Sequence, residues 1–518
     1  MNISKIFQTA RSVTIEIQDE SIFETGKLYE LYVNDRYYDT TDHVISSIYG
    51  LKPESVYEIR VQCGEESASL EVKTDYEFVT LNVRDFGAKG DGLQDDTIFI
   101  QAAIMACPKD SRVLIPEGTY RITSLFLKDD LRLELAKGAV LSAETDRTGF
   151  PIFPGMIESY DEESEYHLGT WEGNPLPMFS GIITGVNVKH VVIYGEGLID
   201  GNASRDPDNW WYHAKVMRIA FRPRMIFLNH CEDVVLEGIQ VQNSPSWNIH
   251  PFFSSQLRFI NLKVINPKDS PNTDGLDPES CKDVEIVGVY FSLGDDCIAV
   301  KSGKIYMGAK YKTPCENVTI RQCCMRDGHG SITIGSEMAG GVKNLTVRDC
   351  LFLQTDRGLR IKTRRGRGED AVVDGILFEN IRMDHVKTPF VINCFYYCDP
   401  DGHTEYVRTK EALPVDERTP EIRTLIFRDI IAENCHVAAA YMYGLPEKKI
   451  QNVVMENVHV TYAKEPEAGI PAMLDGIEPC VKMGVFADNI ERLTLFHVTI
   501  EGQDGEAFIL KNIDRLDQ

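Results

Sequence analysis

Asp274 sits in the stretch PNTDGLDPES (271–280), and the adjacent pair Asp295 and Asp296 follows 21 and 22 residues later in SLGDDCIAV (292–300). Carboxyls brought close together do not all ionise alike, because mutual repulsion raises at least one pKa while another stays low. Such a group holds a proton donor and a proton acceptor at once, the equipment of general acid–base chemistry at a leaving group and a water. His329 in GHG (328–330), then Arg360 and Lys362 in RIK (360–362), come next along the chain. Taken singly, the aspartate pair reads as a solvated turn and the histidine as a structural one. The question is what would bring all six together.

A recurring phrase supplies the answer. CEDVVLEGIQV (231–241), SQLRFINLKV (255–264), CKDVEIVGVYF (281–291) and CENVTIRQCCM (315–325) each read as an apolar-x-apolar strand, a polar or glycine corner and a second short strand. The phrase continues in VKNLTVRDCLF, VDGILFENIRM, RTLIFRDIIA, IQNVVMENVHV and IERLTLFHVTI. With the first apolar residue as anchor, the positions are 234, 257, 284, 318, 345, 376, 425, 453 and 493. The shortest step, 23 residues with variable insertions above it, predicts an all-β, right-handed parallel β-helix, one coil per unit. Equivalent residues of successive coils then stack about 4.8 Å apart. Asp274, Asp295, Asp296, His329, Arg360 and Lys362 fall late in four consecutive coils and so share one face over roughly 14 Å of axis.

The rest of the chain frames this solenoid. Residues 1–78 alternate in short runs such as SVTIEIQD and YEIRVQCG, predicting a small antiparallel β-sandwich, with the solenoid over 79–518. LKPESVYEIRV (51–61) resembles the corner of fibronectin type III domains, with Tyr57 as the residue tying it. DDTIFIQAAIMACP (95–108) predicts a helix capped by Asp95 or Asp96, placed to cover the first coil. GAKGDG (87–92) lacks phosphate-loop spacing and reads as a turn. The net charge of −25, from 79 acidic and 54 basic residues, disfavours nucleic acid and anionic membrane as partners. The 13 cysteines show no paired spacing, and the first residues lack a secretory core, so reduced thiols and a cytoplasmic setting are expected, a secreted or periplasmic protein without its leader being the alternative.

NTDG (272–275), GDDC (294–297), GHG and RIK, in this order, resemble the four motifs of the polygalacturonases, glycoside hydrolase family 28. The similarity runs from LNVRDFGAKGDG (81–92) to near the carboxyl end and is greatest to bacterial exo-acting members. Ser331, after GHG, departs from the apolar residue or glycine of many relatives. The resemblance implies inverting hydrolysis of α-1,4-linked galacturonate with no cofactor or metal, and inversion calls for carboxyls about 6.5–9.5 Å apart. It implies Asp295 as the general acid, Asp274 and Asp296 holding and deprotonating the water, and His329 hydrogen-bonding the acid or the substrate and supporting its protonation. Arg360 and Lys362 would bind the sugar carboxylate, with Lys301 and Asn272 as further substrate contacts.

Other features bear on the substrate and its mode of entry. DRGLRIKTRRGRG (356–368) is a basic island in an acidic chain, suited to a polyuronate or, for Arg364, Arg365 and Arg367, to an exposed loop. Trp210 and Trp211 are read as a cleft wall. Segments 145–180, 202–222 and 395–422 lack the coil phrase and are expected to wall the groove, the first with an acidic run (Glu158, Asp161, Glu162, Glu163, Glu165) that repels a continuing chain. Together these favour release of small products from chain ends. A rhamnogalacturonan- or endo-acting relative, a Ca²⁺-dependent lyase and a non-catalytic polysaccharide binder are the alternatives. Oligomeric state is left open.

Overall fold

A computed structural model describes residues 1–158, 161, 165–214 and 222–518. The nine anchors stack in register without exception: Val234 pairs with Leu257, Leu257 with Val284, Val284 with Val318, and so on through Leu345, Ile376, Leu425 and Val453 to Leu493. Each is at most 2% exposed. An apolar side chain of this size contributes about 1.5–3 kcal/mol when buried, so the column is a main source of stability. Two earlier coils extend it, through Leu131 and Val191. The 60 residues between them, filled by the 145–180 insertion, hide that step from a search for short periods.

Each coil contributes to three parallel sheets. The anchors lie in the first, the short strands Gln240–Gln242, Lys263–Ile265 and Tyr290–Ser292 in the second. The third runs through Ile226–Asn229, Ile249–Phe252, Ile298–Val300, Ile332–Gly335, Arg357–Lys362 and Thr388–Asn393, with Leu276 and Glu279 bridging as a short rung.

The corner between the first two sheets is also a column. Gly238, Asn261, Gly288, Gln322, Asp349, Asn380, Asp429, Asn457 and His497 all have φ between 46° and 78°. This left-handed region costs most L-residues roughly 1–2 kcal/mol, and glycine, asparagine and aspartate least. Side chains lace the column: Asn380 Nδ2 donates to Asp349 Oδ1 at 2.7 Å and Asn457 Nδ2 to Asp429 Oδ1 at 2.8 Å.

Helix Thr97–Ala106 buries Ile100, Ala103 and Ile104 against the first coil. Asp95 Oδ1 accepts the Thr97 N–H, while Asp96 turns back to the Lys89 and Gly90 amides and closes the GAKGDG turn. The amino-terminal region forms two antiparallel sheets, one of three strands and one of four, around Val13, Ile15, Tyr29, Leu31, Ile59 and Val61. The Tyr57 hydroxyl accepts the Lys52 N–H at 2.9 Å. This region docks on the solenoid through Ile45, Val235, Ile260 and Val287, and through Glu237, whose Oε1 accepts from Thr14 and Tyr49, each at 2.8 Å. All 13 cysteines are unpaired. Among the described residues, no helix is long and apolar enough to cross a membrane.

Candidate active site

The site is the outward face of the third sheet. Strand alternation turns Leu276, Ile298, Ile332, Leu359 and Ile361 into the core, so Asp277, Glu279, Lys301, Thr333, Arg360 and Lys362 must point away from it. Asp274 and Asp296 each lie two residues before their rung, and Gly275 N–H donates to the Asp296 carbonyl at 3.0 Å. One carboxylate oxygen from each of Asp274, Asp295 and Asp296 lies within 4.8 Å of the other two. This is tighter than the 6.5–9.5 Å carboxyl separation of a two-carboxylate inverting site.

The three aspartates differ in environment. Asp296 is 1% exposed and its two oxygens take Arg360 Nη1 at 3.2 Å and Lys362 Nζ at 2.8 Å. Burial alone would push its carboxyl up, but these two cations hold it far below the usual carboxylate range. Asp274 is pushed well above that range, by burial first and then by the negative charge of Asp295. Asp295 opens on a cavity of about 580 Å³ lined also by Trp211, His213, Asn272 and His329. His329 Nδ1 stands 3.3 Å from Asp295 Oδ1, a contact that raises the imidazole pKa against the opposing effect of burial. The cluster thus keeps Asp296 ionised and favours a proton on Asp274.

The structure therefore brings together all six residues that the four motifs supply, and corrects several expectations around them. Arg360 and Lys362 spend their charge on Asp296. Asn272 borders the cavity, with Oδ1 accepting from Arg222 Nη2 at 2.8 Å. Lys301 is not a substrate contact: it is 3% exposed beneath the aspartates, with Nζ 3.0 Å from Glu337, 3.6 Å from Asp277 and 3.9 Å from Asp274. Trp210 is wholly buried against Phe150 and Phe179, while Trp211 lines the cavity edge and donates to the Ser244 carbonyl.

Arg364, Arg365 and Arg367 of the basic island do not form an exposed loop but are paired within the chain. Arg364 pairs with Asp399 and Asp401, Arg367 with Asp399, and Arg365 with both oxygens of Glu447 as well as the carbonyls of Tyr406, Thr409 and Glu411. All three are at most 3% exposed and pin the 395–422 segment to the solenoid. Glu165 carries no free charge either, being paired with Lys310 and hydrogen-bonded by Tyr311. Glu162 and Glu163 lie outside the described residues, as does the side chain of Glu158.

Sequence reasoning missed the layer beneath the site: Asp277, Glu279, Glu337, His250 and Arg224, all buried. The alternation of GLDPE, with Leu276 and Pro278 inward, was its available signal. A further wall was also missed. Ile470 accepts from Arg357 Nη2 at 2.8 Å and Met473 accepts from Asn393 Nδ2 at 2.9 Å through their carbonyls, so the segment after Tyr462 lies over the groove beside Arg360. The 40-residue step between anchors 453 and 493 was the signal for it.

Residues 162–473 match the model of glycosyl hydrolases family 28, and residues 80–133 match that of rhamnogalacturonase A/epimerase, pectate lyase-like proteins. A probable polygalacturonase of Vitis vinifera is 31% identical over 73% of this chain and 74% of its own length. An endo-polygalacturonase of Pectobacterium parmentieri is 30% identical, covering 70% of this chain and 84% of its own. A solved family 28 exopolygalacturonase from Yersinia enterocolitica superposes with a TM-score of 0.72 at 19% identity, over 99% of this chain and 98% of that one, which supports the parallel β-helix fold. With the family model matching more than half of its length, the chain belongs to glycosyl hydrolases family 28 and is a glycoside hydrolase.

Proposed function

We propose that the protein hydrolyses α-1,4-galacturonosidic linkages of polygalacturonate with inversion, releasing small saccharides from chain ends. The observation that carries the chemistry is the unequal aspartate cluster, with Asp296 held ionised by Lys362 and Arg360 while burial and the neighbouring charge of Asp295 push Asp274 toward its protonated form. Asp295, on the open side beside His329, serves as the general acid and protonates the leaving oxygen. Asp274 and Asp296 hold the attacking water, and the ionised Asp296 takes its proton as the oxygen bonds to the anomeric carbon. Inversion is supported by the state of Asp296: a carboxylate whose two oxygens are engaged by cations is a poor nucleophile but can still orient a water. The galacturonate substrate is taken from the relatives' names, most of them polygalacturonases.

End-wise action is supported by the walls. The 395–422 segment and the segment around Met473 lie along the groove beyond Arg360, joined to each other by His403 and Asp475 at 3.0 Å. Trp171, from the 145–180 segment, stacks on Trp247 with ring centroids 5.9 Å apart. A long polymer would have to cross these walls, whereas a chain end need not. The named relatives include both an endo-enzyme and, at 22% identity over 64% of this chain and 59% of its own length, an exo-poly-alpha-D-galacturonosidase of Dickeya chrysanthemi. Time-resolved product chromatography on polygalacturonate distinguishes them. One small saccharide accumulating from the start, with slow loss of viscosity, is expected; a ladder of intermediate oligomers with a rapid viscosity drop would overturn the end-wise mode. Proton NMR of the first-formed anomer tests inversion, and β-product is the expected outcome.

A further inference from the structure

Beneath the three aspartates lies a closed layer of charge for which the acid–base scheme above has no use. Lys301 is its centre. Its ammonium lies among Glu337, Asp277 and Asp274 at 3.0, 3.6 and 3.9 Å, and 4.3 Å from the centre of the Trp247 ring. Glu337, from the following coil, gives Oε2 to Lys301 and accepts at Oε1 from the Ser336 hydroxyl.

We propose that Lys301 and Glu337 are a positioning pair that fixes how firmly the aspartate cluster holds its proton. This rests on the acid–base reading of Asp274, Asp295 and Asp296 given above. Six carboxyls (Asp274, Asp277, Asp295, Asp296, Glu279 and Glu337) compete for Lys301, Lys362, Arg360 and Arg224, with Lys304 and Arg367 also acting on Glu337 and Arg222 on Asp274 and Asp295, so the layer's protons are distributed among competing carboxyls. Where they settle depends on which carboxyls the cations reach. Lys362 and Arg360 are committed to Asp296. Lys301 is the only ammonium within 4.0 Å of Asp274 among the described residues, and the same ammonium is shared with Glu337. Glu337 draws Lys301 away from Asp274, and Lys301 in turn limits how basic Asp274 becomes. The other charged and titratable groups facing Lys301 are Asp277, Glu279 and His250 from the preceding coils, Asp296 from its own, and Glu172 from the 145–180 segment. These are carboxyls and a neutral imidazole; the other cations of the layer, Lys362, Lys304 and Arg367, act on Glu337.

The two members must therefore act with opposite sign. Removing the ammonium leaves Asp274 more basic, and removing the Glu337 charge releases Lys301 toward Asp274 and makes it less basic. The experiment is the pH profile of kcat on polygalacturonate for Lys301→Met, Lys301→Arg, Glu337→Gln and the Lys301→Met/Glu337→Gln double variant, each first checked for a cooperative melt. The alkaline limb is expected to move up by about one pH unit in Lys301→Met and down in Glu337→Gln. Lys301→Arg is expected to keep the native limb, and KM to change less than about twofold throughout. If Lys301→Met does not fold, the downward shift in Glu337→Gln and the native limb in Lys301→Arg still decide the matter. Variants that fold and lose kcat with both limbs unmoved, or that shift in the same direction, overturn the proposal. Asp295→Asn assayed alongside separates the two ideas: if it stays active, the acid assignment is at fault, and if it is inactive while the limbs do not move, only the positioning pair is.

Discussion

Lys362 Nζ and Asp296 Oδ2 are 2.8 Å apart, both buried, and Arg360 closes on the other oxygen of the same carboxylate at 3.2 Å. Two cations on one carboxylate make it a permanently ionised group in a nearly dry site. Truncating Lys362 to Ala leaves Asp296 with a single partner. Charge-assisted contacts of this kind are worth roughly 1.5–3 kcal/mol, so steady-state assays should show kcat/KM lower by about tenfold to a hundredfold, with the fold retained by circular dichroism. The Arg360→Ala, Lys362→Ala double variant should lose more than the product of the two single losses, because Asp296 is then buried without a cation.

Asp295→Asn keeps the shape of the side chain and removes the proton that reaches the cavity. Activity on polygalacturonate should fall on the order of a thousandfold, with an unchanged melting temperature. Activity within about tenfold of the parent would take Asp295 out of the acid role.

Glu279 and Asp277 give the fold a pH dependence of their own. Burial pushes Glu279 up to about 8 and Asp277 to about 7, against the pull of Lys301 and Arg224. A carboxyl with a raised pKa binds its proton in the folded state while the unfolded chain has already lost it. Stability from these groups is therefore full below the ordinary carboxylate range and falls as pH rises from about 4.5 toward 8. Glu279→Gln, which keeps a hydrogen-bonding side chain next to His250 Nε2, should flatten that fall. Urea midpoints at pH 5.5 and 8 measure it, and an equal drop in parent and variant would count against the assignment.

Arg365 holds the 395–422 segment through Glu447 and three carbonyls. Arg365→Ala should expose that segment to limited proteolysis and let intermediate oligomers appear among the products. Loss of the wall without any change in product pattern would show that other parts of the groove set the cleavage mode.

Lys301, Arg360 and Lys362 bring positive charge of the protein's own to the cluster. Dialysis against a chelator should leave polygalacturonate hydrolysis unchanged. Activity lost on chelation and restored by Ca²⁺, with a product absorbing in the ultraviolet, would mark a lyase instead.

Much of this was legible in the chain because the solenoid repeats its own grammar. Nine apolar anchors, read from an apolar-x-apolar phrase, fall on one column, since a residue that must be buried in every coil leaves the same mark each time. The catalytic face was found through its motifs. What lay under it was not: Glu279, Lys301 and Glu337 look like surface residues when read along the chain, and only the third sheet, with its outward side roofed over, makes them interior. Arg364, Arg365 and Arg367 misled for the opposite reason. Their partners lie between 32 and 82 residues downstream, so an arginine run that reads as a site for a polyanion is neutralised by the chain itself.

The corner column has a second use where the amino-terminal sheets press on the solenoid. Gly238 and Gly288 stand at positions that asparagine, aspartate or histidine fill in later coils. A Cβ at Gly238 would come within 1.8 Å of the Tyr49 hydroxyl, and one at Gly288 within 2.6 Å of Ile45. At Gly288 the missing methyl is thus a vacancy kept for a neighbour, whereas at Gly238 the Gly195 carbonyl, 2.6 Å from the same Cβ position, excludes it from within the solenoid as well. Asparagine at 288 would suit the solenoid's own backbone and evict its companion, giving a way to ask what that companion contributes without cutting the polypeptide.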